Sequence, residues 1–264
     1  MEILFMVNEN IYRLITPYKD IWTTVYLIRT EEGYMLFDTA SSDSDTEEYI
    51  LPMLAEAGVD PMEIKCVFIS HKHRDHAGGL ARLMKAIPDA VIVSRHEKMP
   101  EEYAEYKVIC PEDGDMLLGV LQVVTIPGHT LDSSAVLDTR TGTMITGDCL
   151  QLLGIFGMGD WACNISFIPE HFCALDKVRE MDVAEIYTAH DYYPIGYRFV
   201  GKEQINSALD NCKKPLLRIK KLIEDNPELD NAAIREAFGA SEKLPTVSVG
   251  VVAAVRKAAS EGKI

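Results

Sequence analysis

The sequence has no apolar run approaching the ~20 residues that a membrane-spanning helix needs. Basic residues are scarce: 26 Lys and Arg against 41 Asp and Glu leave a formal charge of −15. That balance disfavours nucleic acid and anionic membrane surfaces as partners. The one basic cluster, Lys213, Lys214, Arg218, Lys220 and Lys221, reads as the solvated face of a helix. The cysteines (Cys66, Cys110, Cys149, Cys163, Cys173 and Cys212) include no CxxC pair and no short symmetrical spacing, which argues against a zinc knuckle and against a disulfide framework. Free thiols fit a reducing compartment. The opening MEILFMV carries Glu2, lacks a basic start and a small-residue cleavage site, and reads as a first strand rather than a signal peptide. A cytoplasmic protein is therefore expected. Tandem repeats and low-complexity segments are also missing.

Histidine is sparse as well, with 7 in 264 residues, yet three of them fall in the run Ser70-His71-Lys72-His73-Arg74-Asp75-His76. The run directly follows a strand-like stretch, Lys65–Ile69. Imidazole and carboxylate are the usual ligands of zinc and related divalent metals. In a tight turn, His71 and His73 can reach one ion while Asp75 and His76 reach a second beside it. Further candidates stand at the ends of later β-runs. Leu121–Ile126 is followed by Pro127-Gly128-His129-Thr130, Thr143–Thr146 by Gly147-Asp148, and Glu185–Thr188 by Ala189-His190-Asp191. These supply the ligands that the first cluster lacks.

The motifs HKHRDH, PGHT, TGD and TAHD, in this order, resemble those of the metallo-β-lactamase superfamily, whose core motif is His-x-His-x-Asp-His. The resemblance extends upstream to Met35-Leu-Phe-Asp38-Thr39 and covers roughly residues 10 to 195. By position it implies that His71, His73 and His129 bind a first metal ion, that Asp75, His76 and His190 bind a second, and that Asp148 bridges both. Asp38 would support the ligand loop without touching metal. The implied cofactors are two divalent ions, zinc first, with iron or manganese as alternatives. The implied reaction is hydrolysis of a small ester, thioester, lactone or amide by a metal-bridging hydroxide. The resemblance implies Asp75 and Asp148 as the catalytic carboxylates, Asp75 orienting the nucleophile or passing a proton to the leaving group. Acyl-homoserine-lactone lactonases carry a Tyr where this chain has Gln151, which weighs against that branch. An iron-dependent oxidoreductase resembling persulfide dioxygenases and a phosphodiesterase remain the alternatives. Flavodiiron relatives differ by a Glu at the second ligand and an attached flavodoxin domain.

The length suits one large domain or a domain with an appendage. Strands are expected at Ile3–Val7, Ile11–Thr16, Trp22–Arg29 and Tyr34–Asp38, followed by a helix over Thr46–Ala57. A helix over Ala77–Ile87 and a strand over Ala90–Ser94 come next. Met116–Leu118, Gln122–Ile126, Ser134–Asp138 and Thr143–Thr146 form a meander, and Glu170–Glu180 is helical. The order suits the α+β four-layer αββα sandwich of the family, with residues 1–199 as the catalytic domain. Residues 200–264 are expected to be a helical extension packed on it, serving as a pocket wall, a packing element or a homodimer contact. Pro215 should kink or split its long first helix, Lys202–Glu224. The apolar, Gly-rich stretch Gln151–Phe172 leaves Asp148 and reads as a lid or as a loop buried on the core. Gln151, Phe156, Trp161, Tyr192 and Tyr193 are the candidates for a substrate pocket. His96 and His171 stand outside the motifs and read as surface or structural histidines.

Overall fold

The computed structural model describes residues 4–19, 21–156, 163–242 and 247–264. The chain forms two compact units, Met1–Thr125 with Ser134–Arg140, and Ile126–Ser133 with Thr141–Ile264.

In the first unit, β1 (Leu4–Asn8), β2 (Ile11–Tyr18), β3 (Ile21–Thr30) and β4 (Gly33–Phe37) pair antiparallel in chain order. The sheet then turns parallel through β5 (Ile64–Ile69), β6 (Val91–Ser94) and β7 (Val108–Ile109). β3 and β5 are buried along almost their whole length, as near-continuous apolar runs such as CVFI require. Val25, Leu27, Leu36, Val67 and Ile69 form a core with Ile50, Leu54, Leu80, Leu83 and Met84. Each such side chain stabilises the fold by ~1.5–3 kcal/mol. β8 (Met116–Leu117), β9 (Leu121–Thr125) and β10 (Ser134–Asp138) complete this unit as an antiparallel meander.

Parallel pairing places the carboxyl ends of β4 and β5 side by side, with Phe37 opposite Phe68. Asp38 and Ser70 therefore leave the sheet next to each other, at the kind of strand end where α/β sheets carry their ligands. The helix expected over Thr46–Ala57 begins earlier, because the Ser42 hydroxyl caps Asp45 N–H. It runs as Asp43–Asp45, a π-turn over Thr46–Ile50 and Leu51–Glu56. Pro52 has no N–H to give to Glu48, and the ladder widens there, Leu51 donating to Thr46 O.

The single helix expected over Ala77–Ile87 is two: α1 (Arg74–Ala77) and α2 (Leu80–Ala86). Gly78-Gly79 breaks it because the turn after β4 crosses here at very short range. A Cβ on Gly78 would stand 2.1 Å from the Ser41 carbonyl oxygen, and one on Gly79 2.2 Å from that of Thr39. Gly78→Ala is expected to cost ~3 kcal/mol, the top of the overpacking range, since the obstructing atom is backbone. The urea midpoint reports it, and an unchanged midpoint would show that the 39–41 turn yields.

In the second unit, β11 (Thr143–Ile145) runs parallel to β13 (Glu185–Tyr193), while β12 (Ile155–Phe156) and β14 (Gly196–Val200) flank β13 antiparallel. β14 escapes sequence reading because four of its five residues are exposed or half-exposed and give little apolar pattern. The helices are α3 (Ile168–Glu180), α4 (Gly201–Asp225), α5 (Asn231–Glu242) and α6 (Val249–Ser260). Leu216, Ile219, Ile234, Phe238, Val252 and Val255 bury against Ile165 and Ile168. The C-terminal helices are thereby docked on the segment that leads into α3. Pro215 does not split α4, which is continuous through it. An interior proline costs ~3 kcal/mol, and here Leu209, Cys212, Leu216 and Ile219 on the same buried face offset it. Among the described residues no helix is long and apolar enough to cross a membrane.

Candidate metal centre

The first unit supplies its residues from one loop and one short helix. His71 follows β5, His73 caps α1, and Asp75 and His76 lie in the first turn of α1. The rings are crowded: His71 lies 4.7 Å from His73 and 4.2 Å from His76 between centroids. Asp38 anchors the group from beneath. It is fully buried and accepts hydrogen bonds from Ser70 N–H and Ser70 Oγ–H at 2.8 Å and from His76 Nδ1 at 2.7 Å. Burial raises the Asp38 pKa, opposed by the charge and hydrogen bond of His76 and by the bonds from Ser70. Asp38 and Ala40 both hold left-handed backbone, φ 63° and 58°, uncommon away from glycine. This turn lets Thr39 bind the His76 carbonyl twice, through N–H at 2.7 Å and Oγ1 at 3.0 Å.

Three further candidate ligands lie in the second unit. His129 follows Gly128, whose carbonyl accepts Ser166 N–H at 2.9 Å and Phe167 N–H at 2.8 Å. A Cβ on Gly128, at φ 152°, would lie 2.5 Å from the Cβ of His171, so the loop sits directly on the α3 side chain. Asp148 occupies a short 3-10 turn, Gly147–Cys149, after β11. Its two oxygens point to different histidines: Oδ2 is 3.4 Å from His129 Nε2, and Oδ1 is 3.0 Å from His190 Nε2. His190 lies within β13, its carbonyl held by Thr188 Oγ1 at 2.7 Å.

The hydrogen bonds fix the tautomers. His76 Nδ1 faces a carboxylate, and His129 Nδ1 faces the Asn164 carbonyl at 2.5 Å. His71 Nδ1 lies 3.1 Å from Ser70 Oγ, whose own proton goes to Asp38. Each Nδ1 must therefore donate, which leaves the Nε2 lone pair as the ligand atom. Backing of this kind orients metal-binding histidines and raises their basicity. Three groups are each able to hold a metal ion: His71, His73 and His129; His71, His76 and Asp148; and Asp75, His76 and His190. Within each group the ligand atoms lie within 4.8 Å of one another. Imidazole nitrogen with carboxylate oxygen is a donor set suited to zinc and its neighbours.

All seven residues singled out as ligands thus occur in these groups, and Asp38 stands behind His76. The pocket candidates are placed differently. Gln151 is fully buried, and Tyr192 is fully buried with its hydroxyl donating to the Leu150 carbonyl at 2.8 Å. Burial, then the charge of Asp148, holds the Tyr192 pKa well above the usual phenol value. Tyr193 is 68% exposed. The Phe156 side chain and Trp161 lie outside the described residues, as does 157–162 of the stretch read as a lid or buried loop. Cys149 is a buried thiol beside Asp148. His96 borders a cavity of ≈ 300 Å³ with Lys72 and Arg74. His171 is fully buried, and neither ring nitrogen has a hydrogen-bond partner among the described residues. Burial, then the proximity of His129 and Lys213, pushes its pKa down to about 3. Sequence reading missed Ser70, Thr39 and Asn164 as supports. Ser70 and Thr39, each standing in a motif stretch, carried a signal, and Asn164 carried none.

The family model of the metallo-beta-lactamase superfamily matches residues 23–190. Beta-lactamase-like protein 2 homolog of Caenorhabditis elegans is 21% identical, covering 78% of this chain and 67% of its own length. A hydroxyacylglutathione hydrolase of Vibrio cholerae is 26% identical, covering 71% of each. A metallo-beta-lactamase family protein from Thermus thermophilus superposes with a TM-score of 0.69 at 17% identity, over 97% of this chain and 95% of that one. A flavo di-iron protein from Thermotoga maritima superposes with a TM-score of 0.63 at 15% identity, over 83% of this chain, which spans 64% of that protein. The fold is accordingly the αββα sandwich with a C-terminal helical segment. The chain belongs to the metallo-β-lactamase superfamily.

Proposed function

We propose that this chain is a dinuclear metal-dependent hydrolase of small esters, thioesters, lactones or amides. The observation that carries the reading is the set of three ligand groups, each within 4.8 Å, in a chain of this superfamily. His71, His73 and His129 would hold one ion, and Asp75, His76 and His190 the other. Asp148 would serve both, a role supported by its two oxygens facing His129 and His190 separately. Paired divalent ions, when bound, lower the pKa of a shared water toward neutrality and polarise the carbonyl under attack.

The protein's own part is orientation and proton handling. Asp38, Ser70 and Thr39 hold the His71–His76 loop, and the Asn164 carbonyl holds His129. Asp75 Oδ2 lies 3.4 Å from His76 Nε2, close enough to the second ion's ligands to orient the nucleophile and to carry a proton to the leaving group. Residues 1–199 act as the catalytic domain, with 200–264 as a helical extension packed on it.

A panel of nitrophenyl esters, acyl thioesters and lactones, run beside bis(nitrophenyl) phosphate, tests the reading. Turnover of a carboxylic substrate that is lost on chelation and regained with zinc is expected. Cleavage of the phosphodiester alone would move the assignment to phosphodiesterase chemistry. Dioxygen consumption with iron would move it to an oxidoreductase.

A further inference from the structure

Gln151, three residues beyond Asp148, is fully buried. Its Nε2 donates to the Asp148 carbonyl and its Oε1 accepts Asn164 N–H, each at 3.3 Å. The Asn164 carbonyl in turn accepts Nδ1–H of His129 at 2.5 Å. One side-chain amide therefore joins the backbone of one candidate ligand to the residue that orients another. The strip that carries it is pinned on both sides. Tyr192 Oη donates to the Leu150 carbonyl at 2.8 Å, Leu153 N–H donates to Asn211 Oδ1 of α4 at 2.6 Å, and the Gln151 backbone N–H donates to the Cys212 sulfur. Its neighbours Cys149, Leu150, Leu152, Cys163 and Ile165 are buried too. In such surroundings an amide with a donor and an acceptor both engaged has little freedom to move.

We propose that Gln151 is a positioning residue: its amide sets the spacing of Asp148 and His129, and so controls how tightly the ion on His71, His73 and His129 is held. Gln151 acts through these ligands rather than on substrate, since both polar atoms of its side chain are already engaged. The proposal rests on the dinuclear reading. It is specific in chemistry as well as place. Glutamate has the same shape and still accepts Asn164 N–H, but it has no proton to give the Asp148 carbonyl. Alanine does neither.

The test is chelator competition on zinc-loaded wild type, Gln151→Glu and Gln151→Ala. Thermal unfolding of each metal-free protein and the visible spectrum of each cobalt-substituted protein accompany it. In Gln151→Ala one of the two ions should bind ~10–100-fold more weakly, the range for outer supports of metal ligands. The other ion should be little changed, and the cobalt bands of the weakened ion should shift. Gln151→Glu should fall between this and wild type. Two ions bound by wild type and by both variants with equal affinity would overturn the proposal alone. Equal weakening of both ions in step with a lower metal-free melting temperature would also overturn it, by showing a merely structural role. A wild type that binds fewer than two ions would overturn the dinuclear reading first, and the proposal with it.

Discussion

Asp148→Ala is expected to lower turnover by ~10³-fold or more and to reduce the bound metal below two ions per chain. A Lewis-acid metal supplies several kcal/mol to the transition state, and each 1.36 kcal/mol is about tenfold in rate. Asp148 is buried, and its two oxygens face His129 and His190. Removing it takes a shared ligand from both proposed ions and leaves two imidazoles without the anion between them. Asp148→Asn keeps the shape but loses the charge, and should retain more metal than alanine yet little activity. Metal analysis and steady-state kinetics on the same preparation check both. An alanine variant that keeps its rate would remove Asp148 from the centre.

Asp38→Ala is expected to cost ~3–5 kcal/mol of stability and to weaken metal binding by ~10–100-fold. Three donors converge on this carboxylate: Ser70 N–H, Ser70 Oγ–H and His76 Nδ1. Each buried group left without its acceptor costs ~1–3 kcal/mol. Alanine also suits the left-handed backbone at φ 63° poorly. Asp38→Asn tolerates that backbone and keeps one acceptor, so its loss should be smaller. Denaturant unfolding of the metal-free proteins separates the stability effect from the effect on affinity. Equal midpoints for wild type and Asp38→Ala would show that the loop holds itself.

The candidate ligands were legible in the sequence because their chemistry is written in residue type. A rare residue recurs within six positions, and the later His and Asp each follow a strand-like run and a small residue. The supports other than Asp38 were not, because most act through backbone. The Asn164 carbonyl that orients His129 lies 35 residues away, and the His76 carbonyl held by Thr39 lies 37 away. A carbonyl has no identity in a sequence. The break at Gly78-Gly79 has the same origin, since it answers to a turn at residues 39–41 rather than to helix propensity. The half of the Pro215 expectation that the structure answers, a split, fails for the opposite reason. Local propensity argued for a split, and burial along one face of α4 outweighed it.

Elemental analysis of the purified, unchelated protein tests the central claim most directly. The account predicts close to two divalent ions per chain, falling to fewer than two in Asp148→Ala while the chain stays folded. A single ion per chain, unchanged by that substitution, would contradict it.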